Sequence, residues 1–302
     1  MGPTAAGKTD AAMILQDQFS GDIISVDSAL VYKGMNIGTA KPTKRELQKY
    51  PHELVDVCEP WESYSAANFC KDSYKCMVKS LKSDKVPILA GGTMMYYRSL
   101  QHGLSSMPVA NPEIRQRLLL EGNELGWKVL HQRLKEIDQD SAQRINENDP
   151  QRIQRALEVY EITGQTMTQL HQQDQGKKLD YETLKLVIAP ERPLLHKRIE
   201  QRFDIMLEQG FIEEVEFLKS NPKINFDMPS MRSVGYRQVW QYLENELNKE
   251  EMIFRGIVAT RQLAKRQWTW LRKEPNCIWL DPTKKGYLGK IAELTEEFLN
   301  RS

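Results

Sequence analysis

The sequence predicts an α/β protein, a P-loop NTPase-like and mainly parallel sheet flanked by helices, with a helical insertion domain. Three observations carry that prediction. GPTAAGKT (2–9) fits the phosphate-loop pattern G-x-x-x-x-G-K-[ST], a motif that joins a strand to a helix. Short apolar runs alternate with helical patterns, which is how parallel sheets are written in sequence. The long stretch between the third and fourth apolar runs carries helical patterns and no strand signal.

Taken in order, Lys8 to Phe19 reads as a helix. Ala11, Ala12, Met13, Leu15 and Phe19 supply its buried side, and its N-terminus is aimed at a bound phosphate. DIISVDS (22–28), HELVDVCEP (52–60), VPILAGGT (86–93), LKLVIAP (184–190) and CIWLDP (277–282) read as strands, and Ser65 to Leu81 as a helix. A phosphate loop normally follows a buried strand, but this sequence enters the loop at Gly2. We expect a truncated or misassigned start, and a loop that is weakly anchored.

Within the insertion, 109–176, Asn111 caps a helix that begins at Pro112. In NDPQRIQRALEVYEITG (148–164), Asp149 is the cap, Pro150 takes the first helical position and Gly164 stops the helix. Ile153, Leu157 and Tyr160 form its buried stripe, and Arg152 and Arg155 share a neighbouring polar face. QLHQQDQGKK (169–178) is the exit linker. The catalytic core is then 1–108 with 177–302. Its second half is helical: Leu195, Ile199, Phe203 and Met206 share one face, with Arg198 and Arg202 beside it. RSVGYRQVW (232–240) is a glycine turn leading into a helix. Residues 252–273 carry six basic side chains, no acids and two tryptophans.

Composition excludes several classes. Forty-two basic and 41 acidic residues give a net charge of +1, so a polyanion site must come from local clustering. Cys58, Cys70, Cys76 and Cys277 form no C-x-x-C pair, which fits a reducing cytoplasmic setting better than a disulfide or zinc framework. No apolar run reaches the roughly 18 residues of a membrane span.

The candidate chemistry starts at the loop. Glycine frees backbone N–H groups to form an anion nest, Lys8 adds a point charge, and the Thr9 hydroxyl can ligate Mg²⁺. Asp27 ends a strand near that loop. It could hold a metal, act as a general base, or merely cap the next segment. Gly91-Gly92-Thr93 ends another strand, where open α/β sheets bind ligands, but it could equally be a plain turn. Arg198 and Arg202 could grip a diphosphate, although arginines on an amphipathic helix ordinarily form a solvated face. The basic 252–273 helix, with Trp268 and Trp270, and the QRIQR segment (151–155) could bind nucleic acid. The plainer reading is a helix that packs its tryptophans in the core and lets its cations snorkel.

Together these stretches resemble the tRNA dimethylallyltransferases, also called tRNA isopentenyltransferases, in their bacterial form. The carrying residues are GPTAAGKT (2–9), ISVDSALVYKGMNIGTAKP (24–42), GGTMMYYRSL (91–100), NDPQRIQRALEVYEITG (148–164), RIEQRFDIMLEQGFIEEV (198–215), MRSVGYRQVW (231–240) and ATRQLAKRQWTWLR (259–272). The resemblance implies transfer of a dimethylallyl group from dimethylallyl diphosphate to N6 of adenosine 37, in tRNAs reading codons that begin with U. It implies that the loop, Gly2, Pro3, Thr4, Ala5, Ala6, Gly7, Lys8 and Thr9, holds the diphosphate rather than ATP, with Mg²⁺ on Thr9. It assigns Asp27 as the base for N6, Thr93 to the reacting region, and Arg202 with Lys8 to the diphosphate. It places tRNA contacts at Asp27, Ser28, Ala29, Leu30 and Thr93, at Gln151, Arg152, Ile153, Gln154 and Arg155, and at Arg232, Ser233, Val234, Gly235, Tyr236 and Arg237. The implied partners are the tRNA anticodon stem-loop and the prenyl donor, with no membrane, for a monomeric protein.

Other classes stay open: an adenylate isopentenyltransferase acting on free AMP, ADP or ATP, a P-loop small-molecule kinase or NTPase, and a non-catalytic RNA-binding protein. The long insertion argues against the first, because a free nucleotide needs no such arm.

Overall fold

A computed structural model describes residues 1–174, 176 and 178–301. The chain forms two compact units, one of Met1–Tyr97 with Tyr181–Ser302, the other of Arg98–Asp180.

In the first unit, the loop runs into α1 (Lys8–Phe19), then β1 (Gly21–Val26), α2 (Lys44–Lys49), β2 (His52–Glu53), α3 (Ala66–Lys82) and β3 (Val86–Gly91). These three strands form a parallel sheet in the order β2-β1-β3. α1 and α3 both pack on β1 and β3. Ser80 Oγ of α3 donates to Asp22 Oδ2 at 2.9 Å, so Asp22 faces α3. Strand alternation turns Ile23 and Ser25 to the other face.

After the second unit the chain returns as β4 (Lys185–Ile188), α10 (Arg192–Glu208), α11 (Phe211–Lys219), α12 (Tyr236–Leu243), α13 (Lys249–Leu271), β5 (Cys277–Leu280) and α14 (Tyr287–Leu299). β4 and β5 pair in parallel as a separate two-stranded sheet. The expected single sheet is therefore two parallel sheets among the described residues. The residues entering the loop run beside β4: the Met1 amine donates to Leu186 O at 2.8 Å, and Ile188 N donates to Met1 O at 2.9 Å.

The helical half packs as its apolar spacing requires. Leu195, Ile199, Phe203 and Met206 of α10 are buried. Phe211 lies edge-on to both Phe203 and Tyr236, with centroids 6.2 and 5.0 Å away. Each such side chain contributes about 1.5–3 kcal/mol by leaving water.

Glu214 of α11 locks a loop onto this core. Its carboxylate accepts from the backbone N–H groups of Asn36 (2.8 Å), Ile37 (2.8 Å) and Gly38 (3.2 Å), and from the Tyr236 hydroxyl (2.6 Å). A Cβ on Gly38 would overlap the rings of Phe211 and Tyr236.

The expected strand over 52–60 shrinks to His52–Glu53. Leu54 and Asp56 take left-handed backbone conformations, φ 65° and 55°, which no strand accommodates. Among the described residues, an isolated Tyr32–Cys58 bridge is what continues the pairing.

α4 (Met94–His102) leads into the second unit, which holds α5 (Pro112–Leu125), α6 (Trp127–Ile137), α7 (Gln139–Arg144), α8 (Pro150–Thr163) and α9 (Met167–Gln173). The expected caps are present. Asn111 accepts from Glu113 N and Ile114 N, Asp149 accepts from Arg152 N, and Gly164 takes φ 69°. Leu118, Leu130, Leu134, Ile153 and Leu157 form the core of this unit. Tyr160 is exposed; Ala156 and Val159 occupy the buried face in its place.

Much of the expected exit linker is instead helix α9. Thr166 and Gln169 form a reciprocal capping box that nucleates it. Gln175 and Lys177, which fall in that linker and at the expected domain boundary, lie outside the described residues. No helix among the described residues is long and apolar enough to cross a membrane.

Candidate active site

The phosphate loop borders a cleft of about 580 Å³ in the first unit. Thr4 to Asp10 line it from one side. Asp27 to Leu30 and Gly91 to Met95 line it at the carboxyl ends of β1 and β3, and Arg202, Arg232 to Gly235, Arg266, Gln267 and Trp270 come from the helical half.

The loop has the conformation its glycines allow. Gly7 takes φ 89° and Ala5 φ 61°, which turns successive amides toward one side as an anion nest. Lys8 Nζ donates to Pro3 O at 2.6 Å. Burial pulls the Lys8 pKa down to about 8, with Asp27 opposing the shift and Arg202 assisting it. Arg202 Nη1 reaches Thr4 Oγ1 at 3.5 Å. Its pKa is also lowered, by burial first and by Arg198 second, with Asp10 and Asp27 opposing. Two cations and one carboxylate therefore share a poorly solvated field in which each is felt strongly.

The opposite wall is tied together around Thr93. Thr93 N donates to Val26 O at 3.1 Å. Its hydroxyl accepts from Ser28 N at 3.0 Å and donates to Ser28 Oγ at 3.3 Å. Asp27 Oδ1 accepts from Ala29 N at 2.9 Å, an Asx turn that fixes the carboxylate. A Cβ on Gly91 would overlap the Val26 carbonyl, so this strand end admits only glycine. Gly91-Gly92-Thr93 is thus part of the cleft wall.

Three of the lining residues that the sequence does not mark as functional stand out. Gln267 of α13 accepts from Thr4 N at 2.8 Å and donates through Nε2 to Gly92 O at 2.9 Å. Ser25 is buried, and its Oγ has no protein partner. The third, His52, is half-buried with Nδ1 2.7 Å from Tyr50 O. Strand alternation on β1 could have flagged Ser25 as a polar residue on a buried face. No local signal marks Gln267.

The structure brings Lys8, Thr9, Asp27, Thr93 and Arg202 to one cleft, with Ser28, Ala29, Leu30, Arg232, Ser233, Val234 and Gly235 on its walls. Tyr236 is fully buried and spends its hydroxyl on Glu214. Arg237 is exposed, with its guanidinium 4.6 Å from the Phe226 ring centroid. Arg198 does not line this cleft but a second cavity beside the loop. Trp268 packs against the Leu195–Ile199 core and stacks on Trp279 at 5.2 Å, whereas Trp270 lines the cleft.

Gln151 to Arg155 belong to α8 in the other unit. Gln151 and Arg152 are exposed, but Ile153 is wholly buried among leucines and cannot present its side chain to RNA. Arg155 is engaged internally, donating to Glu158 Oε2 at 2.7 Å and to Pro108 O at 2.8 Å. Glu158 also accepts from Arg115 Nε at 2.9 Å and Asn111 N at 2.8 Å. Burial pushes the Glu158 pKa up, but the two guanidiniums outweigh it and hold the carboxyl below its ordinary range.

The residues near the loop fit a diphosphate-bound Mg²⁺ better than a metal caged by protein. The described residues contain no group of three His, Cys, Asp or Glu able to hold an ion. They do offer the exposed Thr9 hydroxyl, and the orphaned Ser25 Oγ in the buried wall. Mg²⁺ commonly binds in this way, with few protein ligands and the rest from phosphate and water.

Fold and cleft define a phosphate-loop α/β protein built for group transfer, with a cationic cradle on one wall and a fixed carboxylate on the other. A model of the IPP transferases matches residues 30–274, and the chain belongs to that family. The solved tRNA delta(2)-isopentenylpyrophosphate transferase of Staphylococcus epidermidis is 33% identical, with 100% of this chain and 98% of that chain covered and a TM-score of 0.71. The full-length tRNA isopentenylpyrophosphate transferase of Bacillus halodurans is 32% identical over 98% of this chain and 97% of its own, TM-score 0.68. A eukaryotic dimethylallyltransferase acting on tRNA is 26% identical over 99% of this chain and 78% of its own, with a TM-score of 0.83.

Proposed function

We propose that this chain is a tRNA prenyltransferase that moves a dimethylallyl group from dimethylallyl diphosphate to N6 of adenosine 37, in tRNAs reading codons that begin with U. The observation that carries the reading is the facing of the two walls. Loop amides, Lys8 and Arg202 oppose Asp27, which is anchored through Ser28 and Thr93. A nucleotide kinase would need the same cradle, but family membership and relatives named for their action on tRNA favour transfer to RNA.

In the reaction, the N6 lone pair forms a bond to the allylic carbon C1. The C1–O bond breaks, and its electron pair leaves with the diphosphate. Lys8, Arg202 and the loop amides stabilise the charge building on that oxygen. The N6 proton passes to the Asp27 carboxylate. Thr93 holds the Asp27–Ser28 turn in place. Thr9 and Ser25, which both line the cleft, would hold Mg²⁺, which when bound supplies positive charge to stabilise the leaving diphosphate.

The target adenosine must leave its stack to reach such a cleft. Ser28, Ala29, Leu30, Arg232, Ser233, Val234 and Gly235 would border the flipped nucleotide, with Arg237 outside it. The helical unit would contact the anticodon stem-loop through Gln151, Arg152 and Gln154, mainly by shape and phosphate contacts.

The test is incubation with labelled dimethylallyl diphosphate, Mg²⁺ and tRNA lacking the modification. Label should appear in tRNA and not in AMP. Label in AMP alone, or ATP turnover without label transfer, would overturn the reading. Asp27→Ala should lower kcat by about 10²–10⁴ while leaving donor affinity within about threefold. A collapse of donor affinity would instead make Asp27 a metal or structural residue.

A further inference from the structure

We infer that Gln267 is a positioning residue that sets the distance between the leaving-group cradle and the acceptor wall. The inference rests on reading the cleft as a prenyl-transfer site. Gln267 lies on α13, and its amide is buried between the two walls. Oε1 accepts from Thr4 N at 2.8 Å, in the phosphate loop. Nε2 donates to Gly92 O at 2.9 Å, one residue before Thr93. Only this orientation of the amide satisfies both partners. Flipped, it would set N–H against N–H and oxygen against oxygen.

The neighbourhood leaves the amide little freedom. A Cβ on Gly92 would overlap Gln267 Nε2 and stand 3.1 Å from Gly2 O. The missing side chain at Gly92 is what lets the amide enter. Thr4 in turn meets Arg202, and Thr93 holds Ser28 and so Asp27. Gln267 is thus a direct hydrogen-bonded link between groups that would hold the diphosphate and groups that would receive the N6 proton. It also takes Thr4 N–H out of the anion nest, so the amides left for phosphate begin after Thr4.

A transfer reaction is sensitive to this separation. The allylic carbon must lose oxygen on one side as nitrogen closes on the other. A displacement of about 1 Å can cost on the order of 10²-fold in rate. If the acceptor wall drifts, the activated carbon is open to water, and C1–O cleavage then gives dimethylallyl alcohol and diphosphate instead of prenylated RNA.

The experiment measures single-turnover transfer and the ratio of dimethylallyl alcohol to prenylated tRNA, for wild type, Gln267→Met and Gln267→Glu. Met matches the volume and breaks both bonds. Glu keeps an acceptor for Thr4 N and loses the donor to Gly92. Donor and tRNA affinities and thermal unfolding are followed in parallel. For both variants the transfer rate should fall about 10- to 100-fold, the alcohol ratio should rise several-fold, and donor affinity should hold within about threefold. A variant that merely folds poorly would lose active sites without changing the product ratio, and that result would overturn the inference. So would an unchanged rate. Failure of wild type to label tRNA would strike the reading of the cleft itself, a separate outcome.

Discussion

Arg155 offers the clearest separation of an architectural role from RNA contact. Its motif position points to tRNA, but its guanidinium is bound to the fully buried Glu158 carboxylate and to Pro108 O. Breaking a buried ion pair costs about 3–5 kcal/mol. Here Arg115 still neutralises Glu158, and the Arg155 side chain is itself 26% exposed. The discounted cost of Arg155→Ala is about 1–3 kcal/mol, confined to the helical unit. Hydrogen exchange of the α8 amides should then speed up by roughly five- to 150-fold. The salt dependence of tRNA binding should keep its slope, because no phosphate contact is lost. Arg152→Ala should do the reverse. That side chain is 69% exposed, with one 3.4 Å ion pair to Asp149. Its loss should leave exchange within about 0.5 kcal/mol of wild type while lowering the salt slope by about one. If Arg155→Ala leaves α8 exchange unchanged and lowers the slope, the assignment is refuted. Acid should act on the same network. Glu158 is held below its ordinary pKa when folded, so its contribution is present above the unfolded carboxyl value and is lost as pH falls through the folded one.

Two further outcomes follow from the first unit. Lys8, lowered to about 8, should carry its charge below that pH and lose it above, so inorganic diphosphate affinity should weaken as pH rises through about 8. Lys8→Met should remove that step; an unchanged profile would show that Lys8 does not titrate there. On stability the sign is opposite: the buried ammonium costs most below about pH 8, and the cost is relieved as pH climbs toward about 10.4. Glu214→Ala would orphan three backbone N–H groups and the Tyr236 hydroxyl. At about 1–3 kcal/mol for the buried Tyr236 hydroxyl, about half that for each of the half-buried Ile37 and Gly38 N–H groups, and nothing for the exposed Asn36, the loss is about 2–6 kcal/mol. It should appear as faster exchange at 36–40, and unaltered exchange there would refute the clamp.

Elements with local signals were legible in the sequence. Lys8–Phe19 is the helix its loop demands, and Asn111, Asp149 and Gly164 do what caps and stops do. The run 52–60 failed as a strand because left-handed residues interrupt it, and apolar content does not encode φ. The polar exit linker is helical because the Thr166–Gln169 box outweighs its polarity. Periodicity places Tyr160 in the buried stripe, yet Ala156 and Val159 cover that face with less volume. Gln267 and Glu214 lay beyond sequence reasoning altogether. The partners of Gln267 sit 175 and 263 residues away and the backbone partners of Glu214 176 to 178 away, and a glutamine or glutamate on an amphipathic helix looks like any solvated residue until the fold brings a donor to it.

Asp27 shows how a structure can dissolve a choice the sequence posed. In the sequence, metal ligand, base and cap are alternative roles for one carboxylate. In the fold, Oδ1 takes the Ala29 N–H, which is capping geometry, and no hydrogen-bond donor among the described residues reaches Oδ2. The Asx turn restricts the side-chain torsions, Thr93 holds the next residue from the neighbouring strand, and the free oxygen is left beside the cleft. A base is more effective when its orientation is fixed before the substrate arrives. The local bond that made Asp27 look like a cap is therefore the device that would make it a competent base. Two hydrogen-bonded residues connect the phosphate loop with the strand end beside Asp27: Gln267 ties Thr4 N to Gly92 O, and Thr93 holds Ser28.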